Sequence, residues 1–139
     1  MTALELTRAF ERGDIRNASF HHASHLQVAW IYLCKSASVE EACQKMAATL
    51  RRFATAAGKP EKYHETITQF WIRLLSILRE SANGCDLDTI LRTNPRLLEK
   101  DLTLDYYSAE TLWSDCARIT WTEPDLKPLA SVEIESECR

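Results

Sequence analysis

Pro60-Glu61-Lys62-Tyr63-His64-Glu65-Thr66-Ile67-Thr68-Gln69-Phe70-Trp71-Ile72-Arg73-Leu74-Leu75-Ser76-Ile77-Leu78 is the stretch on which the fold turns. A helix advances about 100° per residue. With His64 at zero, Trp71 and Leu75 fall within roughly 20° of it, and Thr68 and Leu78 within roughly 40°. One apolar stripe results, and no alternating strand pattern competes with it. Pro60 suits a first helical position, because its missing N–H would be unpaired there anyway. The pattern predicts a helix from Pro60 to about Ser81, ahead of Asn83-Gly84.

The same reading extends upstream. Ser38-Val39-Glu40-Glu41 has the form of a capping box, in which serine and glutamate satisfy free amides at a helix start. That helix should run to Ala57 and stop at Gly58. Before it, Ser19 is a candidate N-cap for a helix ending near Lys35, and Ala3–Arg12 forms a first helix closed by Gly13. Glycine tolerates the left-handed backbone that commonly ends a helix. Downstream, a short helix is expected over Asp88–Thr93, capped by Asp86 or Asp88. Residues 95–106 are leucine-rich but poorly periodic, and Ser108 should cap a last helix reaching Thr120. Glu123-Pro124-Asp125-Leu126-Lys127-Pro128-Leu129 reads as extended chain packed on the bundle, and the residues after Ala130 as a disordered tail. The expectation is one all-α domain over residues 1–139, a bundle of about five helices.

Composition narrows the function classes. The chain has 139 residues, 17 basic and 20 acidic, and a net charge of -3. That balance gives no electrostatic reason to expect nucleic acid or an anionic membrane as partner. No run approaches the roughly 18 apolar residues that span a bilayer, and the polar, early-acidic N-terminus does not resemble a signal peptide. The five cysteines, Cys34, Cys43, Cys85, Cys116 and Cys138, are dispersed and odd in number. They read as reduced thiols in a cytoplasmic protein, with Cys34, Cys43 and Cys116 as small apolar fillers within helical segments.

All four histidines fall in two patches, His21/His22/His25 and His64. With His22 at zero on its helix, Ala29 and Leu33 lie within roughly 20°, Leu26 within roughly 40°, and His25 roughly 60° to one side. His21 lies roughly 100° away, near the polar boundary. Short connections favour antiparallel neighbours, so the helices carrying His22 and His64 should run parallel with both N-termini at one end. His22, His25 and His64 would then converge as three neutral imidazoles on a divalent ion (zinc, iron, nickel or copper), with His21 outside the shell. The open position would serve a small-molecule substrate, with Glu65 (or Glu61) as general base and Tyr63 or Thr68 positioning it. Tyr32, on the His25 side, is a further phenol for the pocket. The competing reading is a non-catalytic helical interaction protein whose histidines are structural or hold a structural metal. An open coordination position would separate the two. No phosphate loop or nucleophile elbow occurs.

Phe20-x-His22-x-x-His25-Leu26-x-x-Ala29-Trp30 and Tyr63-His64-Glu65-Thr66-Ile67-Thr68 together resemble a family of small bacterial helical proteins. Tyr107-Ser108-x-Glu110-x-Leu112 and Glu123-Pro124-Asp125-Leu126-x-Pro128-Leu129 look like the same family, so the resemblance covers most of the chain. It transfers no mechanism. In architecture alone, three histidines in a small bundle look like the DinB/YfiT-type metal bundles, although the spacing here is His-x-x-His rather than His-x-x-x-His.

Overall fold

Every regular element among the described residues of the computed structural model is helical; it describes residues 2–14, 22–82 and 85–129. Thr2 opens α1 (Ala3–Glu11) with a full capping box: the Glu5 amide donates to the Thr2 hydroxyl at 3.0 Å, and the Thr2 amide to Glu5 at 2.8 Å. Helix α2 spans His22–Lys35 and α3 spans Val39–Ala56. Ser38 accepts from the Glu41 amide at 3.1 Å, as expected. The reciprocal bond shifts by one residue, with the Ala37 amide donating to Glu41 at 3.0 Å. Gly13 and Gly58 follow α1 and α3 at φ 78° and 76°, the left-handed conformation that glycine adopts without steric cost. The expected N-cap Ser19, the Asn83-Gly84 stop, His21, Cys138 and the tail after Ala130 lie outside the described residues.

Helix α4 (Glu65–Ala82) is the centre of the core. Phe70, Ile72 and Leu75 are fully buried, with Leu26 of α2 and Ala42 of α3. Helix α3 lies antiparallel to α4: Arg51, late in α3, pairs with Glu65 at 3.2 Å, and Glu40, early in α3, reaches Arg73 at 4.0 Å. Helix α1 joins through Phe10, whose ring centroid is 4.9 Å from that of Phe53, and through Glu11, which accepts from the Tyr32 hydroxyl at 2.6 Å. Among the described residues no helix is long and apolar enough to cross a membrane.

The C-terminal half departs from expectation. Among the described residues, eight α-helices replace about five. Pro60 does start a turn, but a separate 3-10 turn over Pro60–Lys62, and α4 begins at Glu65. After α5 (Leu87–Thr93) come 3-10 turns at Pro95–Leu98 and Lys100–Leu102, then α6 (Thr103–Tyr106). The single helix expected over 108–120 is split into α7 (Ala109–Leu112) and α8 (Asp115–Ile119). Ser114 causes the break: its hydroxyl donates to the Thr111 carbonyl at 2.8 Å and accepts from the Ala117 amide at 3.1 Å, ending one helix and capping the next. Of the cysteines read as apolar fillers, Cys43 is buried, while Cys34 and Cys116 are exposed.

Helices this short leave most of their terminal carbonyls without a partner in the helix. Side chains fill the gap. The fully buried Thr66 donates its hydroxyl to the Thr120 carbonyl at 2.7 Å and accepts from the Thr122 amide at 3.1 Å. Tyr107 donates to the Thr122 carbonyl at 2.6 Å. Asp125 accepts from the Ser108 amide and hydroxyl at 2.8 and 2.7 Å and from the Thr111 hydroxyl at 2.9 Å. Thr66→Val keeps the shape but takes a partner from the Thr120 carbonyl and from the Thr122 amide, so it should lower unfolding stability by about 2 kcal/mol. Thr66→Ser should cost less than about 1 kcal/mol, the value of a buried methyl. Urea unfolding of the two variants checks this, and equal losses would refute it.

Candidate ligand cavity

His64 sits immediately before α4 and acts as its N-cap. Its carbonyl accepts from the Thr68 amide at 3.1 Å, and its ring Nδ1 accepts from the Ile67 amide at 3.1 Å. Nε2 lies 2.7 Å from the Leu112 carbonyl at the end of α7. An amide can only donate and a carbonyl can only accept. The ring is therefore the neutral Nε2–H tautomer, with both nitrogens engaged. Burial is the main cause holding its pKa below the ordinary 6.5.

His22, the first residue of α2, donates from Nε2 to the Leu97 carbonyl at 2.9 Å. Its ring meets Trp71 edge-on, with centroids 4.6 Å apart. Trp71 lies seven residues beyond His64, about 10 Å along a helix axis at 1.5 Å per residue. His22 and His64 therefore do not share a level. Among the described residues no group of three or more His, Cys, Asp or Glu side chains is placed to hold a metal ion. The expected His22/His25/His64 metal site is thereby corrected, and with it the metal-dependent enzyme read from it. The zinc, iron, nickel or copper ion loses the ligand set that motivated it. The physical reason is that the Nε2 atoms of His22 and His64 serve backbone carbonyls from later segments of the chain.

Two of the three histidines do meet. His25 and His64 line one cavity of about 310 Å³. Helix α2 contributes His25 and Ala29, and α3 contributes Met46, Leu50, Phe53 and Ala54. Beyond α3 the wall continues through Lys59, Lys62 and Tyr63, then into α4 through Ile67, Thr68 and Trp71. His25 is held down to about 4, first by burial and second by its neighbour His22. At neutral pH it is an uncharged hydrogen-bonding ring in an otherwise apolar wall.

The expected catalytic residues divide. Tyr63 and Thr68 line the cavity, but Glu65 does not. Glu65 faces the α3–α4 groove beside Cys43 and Arg73 and accepts from Tyr63 at 2.7 Å, Arg51 at 3.2 Å and Gln69 at 2.6 Å. Three donors hold it on that side, away from the cavity. Burial, then the bond to that carboxylate, raises the Tyr63 phenol far above its usual range. The Thr68 hydroxyl back-bonds to the His64 carbonyl at 2.9 Å. Tyr32 is not among the lining residues: it bonds Glu11 and, at 2.8 Å, Thr49. Sequence reasoning missed the α3 wall and the lysines beside Pro60. The signal available was two cations flanking a proline turn that precedes the His64 face.

Comparison with protein-family models, with curated proteins and with solved structures finds no match to this chain. The cavity is therefore read from its own chemistry.

The depressed histidine pKa has a pH consequence. Unfolded, His25 titrates near 6.5; folded, near 4. Below 6.5 the unfolded chain takes up the proton first, so the stability present above 6.5 is lost as pH falls toward 4. His22 and His64 add in the same direction. The loss from His25 is on the order of 3 kcal/mol across that window. Urea midpoints measured from pH 7 to pH 4 should fall, and more steeply for the parent chain than for His25→Gln. A profile unchanged by His25→Gln would contradict the assignment.

Proposed function

We propose that this protein binds a small, largely apolar molecule in the cavity between α2, α3 and α4. The observation that carries the reading is the cavity itself: about 310 Å³, walled by Ala29, Met46, Leu50, Phe53, Ile67 and Trp71, with a few polar groups at set positions. Specific ligand sites have this make-up, an apolar wall with sparse polar groups, and this volume is at the lower end of their usual range of roughly 300–1,000 Å³. His25, His64, Tyr63 and Thr68 supply polar groups, and Lys59 and Lys62 the charged ones. The reading assigns recognition and no reaction. Neither ring nitrogen of His64 is available for proton transfer, and a His25 pKa of about 4 is far from that of a base working at neutral pH.

The test uses N-phenyl-1-naphthylamine, a neutral apolar dye that brightens on leaving water. Saturable brightening is expected with the parent chain. Ala54→Trp places an indole from the partly exposed α3 wall into the cavity, and should reduce dye affinity about tenfold or more with helical circular dichroism unchanged. Dye binding that is indifferent to Ala54→Trp would place the apolar site elsewhere and overturn the reading.

A further inference from the structure

The lining of the cavity has a polarity that the volume alone does not express. Among the described residues its charged lining residues are Lys59 and Lys62, and no aspartate or glutamate lines it. This holds in a chain with more acidic than basic residues. Both lysines are exposed, and among the described residues neither is in an ion pair. Glu61 stands between them on the Pro60–Lys62 turn but is not part of the lining. The lysines lie on the connection from α3 to α4, at the solvent edge, while the fully or nearly buried Ala29 and Trp71 form the wall away from it.

The wall is also rich in flat rings. Phe53, Tyr63, Trp71, His25 and His64 are five planar side chains around a small volume, with the Met46 thioether beside them. Rings favour edge and face contacts with another ring, and thioether sulfur makes favourable contacts with aromatic edges. A rigid aromatic guest also loses less conformational freedom on binding than a flexible alkyl chain of similar size.

Resting on the proposed ligand cavity, we infer that its ligand is a small arylalkyl carboxylate: the aromatic ring lies among Phe53, Trp71 and Met46, and the carboxylate meets Lys59 and Lys62 at the rim. An exposed ammonium pair contributes modestly, and its contribution is screened by salt.

The experiment is isothermal titration of the full chain with 3-phenylpropionate, 3-phenylpropan-1-ol, 3-phenylpropylamine and octanoate at low and high salt. The acid should bind on the order of tenfold more tightly than the alcohol, and the amine more weakly than either. The Lys59→Gln/Lys62→Gln double variant should erase the margin of acid over alcohol, as should high salt, while leaving the alcohol and the neutral dye unaffected. Equal affinity for acid and alcohol would overturn the inference yet leave the cavity reading standing, since the alcohol still binds. Octanoate binding as tightly as 3-phenylpropionate would overturn the aromatic assignment. Failure of all four compounds while the dye still binds in an Ala54-sensitive way would overturn the ligand class alone; loss of dye binding as well would overturn both.

Discussion

Several backbone carbonyls of the C-terminal segment take their donors from the bundle rather than from the segment itself. Helices α6, α7 and α8 are four or five residues long, too short to satisfy their own ends. Buried polar groups without partners are costly, so the bundle must provide the missing hydrogen bonds. It does so from the first turn of α4. His64 serves Leu112, and Thr66 serves both Thr120 and Thr122. On the other side His22 serves Leu97 in the Pro95–Leu98 turn. The placement of Tyr107 and Leu112, both fully buried, depends on these bonds.

This requirement explains why the histidines are where they are. Imidazole is long enough to reach another segment, can sit on an apolar face, and carries one donor when neutral. Burial lowers the pKa of His22 and His64, keeping them in the neutral form, which has one N–H to give and one lone pair to accept. His64 uses both: it caps its own helix and bonds the foreign carbonyl with the opposite nitrogen. Two of the histidine rings are thus structural cross-links. The third, His25, lines the cavity together with His64.

The helical core was legible because its signals are local. The stripe through Trp71, Leu75 and Leu78 does become the buried face of α4, and Gly13 and Gly58 do end α1 and α3. Ser38 caps α3 by the mechanism its spacing implies. The short helices were not legible, because Ser108 and Ser114 both cap, and a serine inside a weakly periodic run reads equally well as helix interior. The inward turn of His22 and His64 was readable from angle alone. Their failure to form a triad was not, since it depends on Leu97 and Leu112, which lie 75 and 48 residues away from their partners. Glu65 lies roughly 100° from His64 on the helix, an angle that already sets it apart from the cavity face, and Arg51, Tyr63 and Gln69 hold it on the other side of α3.

Thr66 and His64 stand two residues apart, and between them they hold Leu112, Thr120 and Thr122. Fastenings that close together along one helix end cannot be released one at a time: fraying the first turn of α4 lets go of all of them. The segment from α7 to Thr122 therefore behaves as a single opening unit rather than as a set of independently fluctuating turns. Its amides should then exchange with solvent in step with those of Glu65 to Thr68, once the Tyr107 and Asp125 bonds are also released.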